Sequence, residues 1–134
     1  MPPAGVNLTA LTSRFDTICC MRPGSPLISG ADGWSTSAGV FDYNNDGKLD
    51  LFVSRYLEWS FGKNRFCGER RPGGRSYCHP DNFSGATNLL YRNNGDGTFT
   101  DVSKSAGIAD PNGKALGVSF ADFDNDGWTN IYVA

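Results

Sequence analysis

A chain of 134 residues with 39% hydrophobic residues is long enough for one ordinary globular domain with its own core. Its formal net charge of −2 gives no indication of nucleic acid or an anionic membrane as a partner. No run of 18 apolar residues is present, so we expect no membrane insertion. The opening stretch MPPAGVNLTALTSRFDTICC lacks the basic start and the apolar run of a signal peptide.

The acidic residues are strongly biased towards one type. Twelve of the 14 are Asp, and glycine numbers 17. Asp and Gly favour turns and positive φ angles, whereas Glu favours helices. The bias therefore predicts short strands joined by many structured turns, with little helix.

In chain order, residues 1–32 match no repeat and stay unassigned. Their neighbouring cysteines, Cys19 and Cys20, are interpreted as unpaired. Strand-like segments follow at 34–41, 50–57, 88–93 and 98–103, connected as an up-and-down meander. The last two flank Asn94-Gly95-Asp96-Gly97, a strong hairpin-turn signal.

An acidic loop recurs along the chain. The segment around residues 42–50 recurs around 122–130, at an offset of 80 residues and between strand-like runs in both places. Four-stranded antiparallel units repeated along a chain are the blades of a β-propeller. The predicted fold is all-β, a partial β-propeller with one complete blade at 33–103 and about half of the next at 104–134. The chain looks cut in the middle of the second repeat, which would leave an apolar strand edge that seeks a partner.

The long stretch 58–87 becomes an insertion between the second and third strands. Cys67 and Cys78 flank ten of its residues, and a disulfide between them would restrain the loop and indicate an oxidising compartment. A zinc site is the rival interpretation, but His79 is the only histidine and no CxxC pair exists.

The insertion also concentrates basic residues. It is either a solvated loop or an anion-binding loop for acidic polysaccharide or a partner's carboxylates. It holds five of the chain's twelve basic residues: Lys63, Arg65, Arg70, Arg71 and Arg75.

The two acidic loops fit D-x-[DN]-x-D-G-x-x-[DN]. Side-chain oxygens at the first, third, fifth and ninth positions, with the carbonyl of the seventh residue, can converge on one hard cation such as Ca²⁺, and glycine at the sixth allows the sharp turn. We therefore predict two Ca²⁺ sites. The predicted ligands are Asp42, Asn44, Asp46, the Lys48 carbonyl and Asp50 in the first loop, and Asp122, Asp124, Asp126, the Trp128 carbonyl and Asn130 in the second.

The acidic loops allow two other interpretations. Asn-Asp-Gly forms hairpin turns without any metal, because these residues favour positive φ. An EF-hand needs a bidentate Glu at the twelfth position between two helices, but Val53 and Val133 stand there inside predicted strands. The ligand set would therefore close at the ninth residue.

Three stretches carry a family resemblance: FDYNNDGKLDLFVSRY, NLLYRNNGDGTFTDVSKSAGI and GVSFADFDNDGWTNIYVA. Together they make residues 33–134 resemble the FG-GAP or VCBS-type repeats of integrin α-subunit propellers. The chain is more closely similar to bacterial proteins that resemble cartilage acidic protein and carry ASPIC/UnbV domains. The resemblance implies a secreted or surface propeller of about seven blades, with Ca²⁺ in loops between the first two strands of a blade. Asn130 departs from the usual final Asp of these loops.

The predicted function is noncatalytic extracellular recognition or adhesion, with an extracellular, periplasmic or cell-surface location. The expected partners are an unidentified extracellular protein or polysaccharide and the remaining propeller blades of the parent chain. One alternative is a scaffold for a secreted hydrolase, against which stand the single histidine and the absence of a nucleophile elbow. The other is a carbohydrate-binding module that uses Trp34, Trp59 or Trp128 as stacking platforms.

Overall fold

The structure is a computed structural model that describes residues 34–134. The unassigned segment 1–32, with Cys19 and Cys20, lies outside the described residues. No α-helix occurs within the described range, and no helix there is long and apolar enough to cross a membrane. The strands are β1 (Trp34–Phe41), β2 (Asp50–Leu57), β3 (Cys67–Gly68), β4 (Arg75–Ser76), β5 (Leu89–Asn93), β6 (Phe99–Asp101), β7 (Val118–Ala121) and β8 (Asn130–Val133).

The main sheet is four-stranded and antiparallel, in the order β1-β2-β5-β6. This confirms the predicted all-β class and the meander, with strand bounds close to those predicted. The inner strand β2 contains, directly after Asp50, the apolar run Leu51, Phe52 and Val53, each about 1% exposed. A continuous apolar run is typical of a strand that is buried on both faces, whereas alternating apolar and polar residues are typical of a strand with one exposed face.

The last strand of the sheet is shorter than the predicted 98–103. After β6, Val102 donates its N–H to the Leu90 carbonyl at 2.9 Å and enters the core. Ser103 Oγ accepts the Leu90 N–H at 2.9 Å. A side-chain hydroxyl thus replaces the next main-chain acceptor of the ladder, which ends the strand while keeping the buried amide satisfied.

The second sheet contains only β7 and β8, which pair from Val118↔Val133 to Ala121↔Asn130. Phe120 of β7 stacks on Phe41 with ring centroids 4.6 Å apart and meets Phe52 edge-on at 6.3 Å. A two-stranded sheet is marginal alone, so it depends on this packing. The two repeats therefore share one core.

The insertion at 58–87 is anchored rather than loose. The predicted Cys67–Cys78 disulfide is present, with the two Cα atoms 5.2 Å apart, and it lies across the short β3–β4 ladder. Ala86 donates its N–H to the Gly113 carbonyl at 3.1 Å, and Leu57 forms a bridge with Gly85. The insertion thus returns to the sheet before β5 begins.

Candidate metal sites

The two acidic loops have the same backbone conformation. Asn45 and Asn125, the fourth residues, have φ of 55° and 59°. Gly47 and Gly127, the sixth residues, have φ of 81° and 87°. Because side chains other than Asn, Asp and Gly rarely adopt positive φ, the Asn-x-Gly spacing accounts for the repeated turn.

The same hydrogen bonds close both loops. Asp42 accepts the backbone N–H groups of the residues four and five positions later, at 3.1 and 2.7 Å. Asp122 accepts the corresponding N–H groups at 3.1 and 2.9 Å. The fifth residue, Asp46 or Asp126, then accepts the N–H of the seventh at 2.9 or 2.8 Å. The first and fifth carboxylates are therefore held in place by main-chain donors.

The second loop brings three carboxylates together. One oxygen each from Asp122, Asp124 and Asp126 lies within 4.8 Å of the others, and all three residues are exposed. Oxygens that bind the same Ca²⁺ at 2.3–2.6 Å can be at most about 5 Å apart. The spacing and the oxygen-only donor set therefore fit one hard cation.

The first loop differs at its third and seventh positions. Asn44 stands where the second loop has Asp124, and its side-chain N–H donates to Asp46 Oδ2 at 3.2 Å. Lys48 Nζ forms an ion pair with the same oxygen at 3.1 Å. The Lys48 backbone N–H, aided by its ammonium group and Asn44, lowers the pKa of Asp46. A lysine side chain thus lies where a cation would approach this carboxylate.

The ninth residues bind the start of their own loops. Asp50 is fully buried, and its Oδ2 accepts the Tyr43 N–H at 3.1 Å while its Oδ1 accepts the Asn93 N–H at 2.7 Å. Burial raises the pKa of Asp50, and these two hydrogen bonds oppose the rise. In the second loop Asn130 Oδ1 accepts the Phe123 N–H at 2.8 Å. Each bonded oxygen keeps a second lone pair, so acceptor capacity remains.

The contact with Asn93 was missed by sequence reasoning. Besides its bond to Asp50, Asn93 donates its side-chain amide to the Leu49 carbonyl at 3.1 Å. Asn93 ends β5, 43 residues after Asp50, and no spacing pattern connects them. This contact explains why the first loop is more covered than the second, which has no third strand beside it among the described residues.

The predicted hairpin at Asn94-Gly95-Asp96-Gly97 is confirmed by the β5–β6 pairing. Asp96 Oδ1 accepts both the hydroxyl and the N–H of Thr98, at 2.6 and 2.8 Å. The bond from the hydroxyl is the largest of the causes that lower the pKa of Asp96. This carboxylate is therefore used within the turn.

His79 has a local role. Its Nδ1 accepts the Asp81 N–H at 3.4 Å at the start of the short turn Pro80–Asn82. It also lies 3.2 Å from the Asp81 carboxylate, and its side chain is 73% exposed. The histidine that an enzyme interpretation would use as a base thus caps a surface turn.

Comparison with known proteins finds a family model that matches the second half of the described chain. Residues 78–133, which contain β5 to β8 and the second acidic loop, match the family model of the FG-GAP-like repeat. This match agrees with the resemblance noted in the sequence.

Part of the chain is also similar to cartilage acidic protein 1. It is 49% identical over 51 residues to the Homo sapiens protein, 47% to that of Mus musculus and 45% to that of Xenopus tropicalis. The aligned part is 38% of this chain and 8% of each relative, so the match spans a small fraction of their length. No solved structure matches the chain significantly.

Proposed function

We propose that this chain is a noncatalytic, Ca²⁺-stabilised FG-GAP repeat unit of a β-propeller that serves extracellular recognition or adhesion. In this proposal residues 33–103 form one blade and 104–134 begin the next, and further blades of the parent chain complete the ring. The observation that carries it is the triad Asp122, Asp124 and Asp126, whose carboxylates approach within 4.8 Å on a loop that repeats the fold of 42–50.

The electrostatics of the triad support a bound cation. Three like charges at this spacing repel one another, and the ion pairs found within residues 34–134 include none of the three. A divalent cation would remove the repulsion and fix the loop. The ligands would be the three carboxylates, the Trp128 carbonyl and Asn130.

We assign a second, weaker Ca²⁺ site to the first loop. Asp42, Asn44 and Asp46 have the same backbone placement there, with Asp50 and the Lys48 carbonyl as the remaining ligands. Both ligand sets contain three carboxylates, since Asp50 offsets the amide at the third position, but the Lys48 ammonium group competes for Asp46. A cation must displace this ammonium group, so this site should bind less tightly than the second.

The disulfide of the insertion supports an extracellular, periplasmic or cell-surface location. The Cys67–Cys78 disulfide persists most readily in an oxidising compartment. The partner in recognition would be an extracellular protein or polysaccharide, held on surfaces that metal binding keeps rigid. The role of His79 as the cap of a surface turn supports noncatalytic action.

Thermal unfolding tests the metal sites. At about a hundred times its Kd, Ca²⁺ stabilises a folded protein by about 2.7 kcal/mol, or about 10 °C for a domain of this size. We expect EGTA to reverse the rise, and the double variant Asp122→Asn/Asp126→Asn to lose most of it. Glu58→Gln, which changes an exposed acid outside the loops, should keep it. An unfolding temperature indifferent to both Ca²⁺ and EGTA would refute the sites.

Terbium emission assigns the stronger site. Tb³⁺ prefers the same oxygen ligands, and a neighbouring indole transfers excitation energy to it. Trp128 belongs to the second loop, so emission should fall sharply in Trp128→Phe and be retained in Trp59→Phe. Equal emission from the two variants would place the ion elsewhere.

A further inference from the structure

A cleft of about 680 Å³ opens at the end of the β1–β2 hairpin away from the first acidic loop. Trp34 pairs with Leu57 at this end of the hairpin, whereas Phe41 pairs with Asp50 at the loop end. Seven residue steps along β2 separate the two ends, about 23 Å at 3.3 Å per residue. The cleft is therefore a separate site from the loop.

One wall of the cleft is aromatic. Trp34, 49% exposed, meets Tyr56 edge-on at 5.7 Å and Trp59 at 6.3 Å between ring centroids. Edge-to-face contacts of this kind fix the rings relative to one another. The wall thus offers rigid apolar surface that remains open to solvent.

The opposite wall comes from the insertion. Arg75 lies on β4, Tyr77 precedes the disulfide cysteine Cys78, and Arg65 lies two residues before Cys67. Tyr77 is fully exposed, so the fold makes little use of its ring. The disulfide and the β3–β4 ladder hold these side chains beside the aromatic wall.

The charge of the cleft is of one sign. Two guanidinium groups and no carboxylate occur among the described residues that line it. The ion pairs found within residues 34–134 involve neither Arg65 nor Arg75. In a chain of net charge −2, this local excess of positive charge selects for an anionic ligand.

We propose that this aromatic cleft, formed by Trp34, Tyr56, Trp59, Arg65, Arg75 and Tyr77, binds an acidic oligosaccharide built from uronate units. A uronate ring presents an apolar face of C–H groups that packs on aromatic rings, and a carboxylate that an Arg fork binds with two hydrogen bonds. The cleft volume lies within the range of about 300–1,000 Å³ typical of small-ligand sites.

An acidic peptide is the competing ligand, and the cleft favours it less. Asp and Glu side chains bring a carboxylate without an apolar face beside it, so they would engage the arginines and leave the indoles and Tyr77 uncovered. A uronate unit would contact the aromatic wall with its ring and the arginines of the opposite wall with its carboxylate. The proposal depends on neither acidic loop, and binding should persist in EGTA.

Titration of the folded chain with tetragalacturonate, followed by tryptophan fluorescence and calorimetry, tests the proposal. Two of the three tryptophans line the cleft, so binding should change the emission. Arg75→Gln and Tyr77→Ala should each weaken binding about tenfold, because a charge-assisted hydrogen bond or a stacking surface is lost. The matched controls, Arg70→Gln and Phe66→Ala, change exposed residues of the same insertion that do not line the cleft and should bind as wild type.

The comparison ligands decide the chemistry. Maltotetraose, which lacks the carboxylates, should bind at least about tenfold more weakly, and so should tetraglutamate, which lacks the sugar rings. Equal binding of tetraglutamate would overturn the proposal in favour of a peptide site. Binding that is absent in wild type, or unchanged in both Arg75→Gln and Tyr77→Ala, would overturn it outright. A thermal shift with Ca²⁺ in a chain that binds no saccharide would leave the proposed function standing while this inference fails.

Discussion

Asn93 and Asp50 join the third strand of the main sheet to the end of the first acidic loop. The Asn93 N–H donates to Asp50 Oδ1 at 2.7 Å, and the Asn93 side chain donates to the neighbouring Leu49 carbonyl at 3.1 Å. Because Asp50 also accepts the Tyr43 N–H, one buried carboxylate connects the loop's start, its end and β5.

This connection predicts how Asp50 responds to substitution. Asp50→Ala leaves the Tyr43 and Asn93 N–H groups without their acceptor, at a cost of about 1–3 kcal/mol for each group that stays buried. Asp50→Asn retains one carbonyl oxygen, as Asn130 does in the second loop, and should cost less than Asp50→Ala. Urea denaturation in EGTA measures the free energy of unfolding of both variants without a contribution from metal binding. Equal losses would show that the acceptor is unimportant.

Gly39 is predicted to tolerate no side chain. A Cβ there would overlap the Phe120 ring, so Gly39→Ala must displace a ring packed between the two sheets. We expect a loss of about 1–3 kcal/mol in the free energy of unfolding. Gly62→Ala, where no atom would lie within 4 Å, should change it by less than about 0.5 kcal/mol. Phe120→Leu should make Gly39→Ala less costly, and strictly additive effects would contradict the contact.

Lys48 is predicted to weaken Ca²⁺ binding by the first loop. Its ammonium group pairs with Asp46 at 3.1 Å and must leave when a cation binds. In the Asp122→Asn/Asp126→Asn background, Lys48→Met should raise the Ca²⁺ affinity measured by calorimetry by up to about fivefold, the value of an exposed ion pair. Lys63→Met should leave it unchanged. A lowered affinity in Lys48→Met would show that the side chain assists the site instead.

The pKa of Asp96 should depend on the Thr98 hydroxyl. Hydrogen bonds from Thr98 hold the folded-state pKa of Asp96 below its ordinary value of 3.8. Folding therefore favours the ionised carboxylate, and this contribution is present above pH 3.8 and is lost as the pH falls through the lower folded-state pKa. In Thr98→Val the pKa should move up towards 3.8, as NMR titration would measure. The control is Thr100→Val. The Thr100 hydroxyl donates to Asn94, so its removal should leave the pKa of Asp96 unchanged.

The strands and the acidic loops were predictable because their determinants are local. Apolar runs predicted β1 and β2 with the observed bounds and strand-like runs on both sides of the second acidic loop, where β7 and β8 lie. The repeated Asn-x-Gly spacing indicated two loops of one conformation. The β5–β6 hairpin followed from its turn residues in the same way.

The remaining features arise from tertiary contacts that carry no local signal. The Asn93–Asp50 bond spans 43 residues, and the meeting of Phe120 with Gly39 depends on how one sheet packs on another. The sequence suggested stacking tryptophans and an anion-binding insertion as separate alternatives. The structure brings members of both sets, Trp34 and Trp59 with Arg65 and Arg75, to one cleft.

The contact between Phe120 and Gly39 joins positions that are not equivalent in the two repeats. At the offset of 80 residues Phe120 corresponds to Val40, whereas its neighbours in the first repeat are Gly39 and Phe41. Successive residues of a strand point to opposite faces, so the two repeats meet through different faces of equivalent strands. The face of β7 that corresponds to Gly39 and Phe41 is exposed at Ala121. The contact between these two repeats is therefore heterologous, because it joins non-equivalent surfaces instead of forming a self-complementary pair.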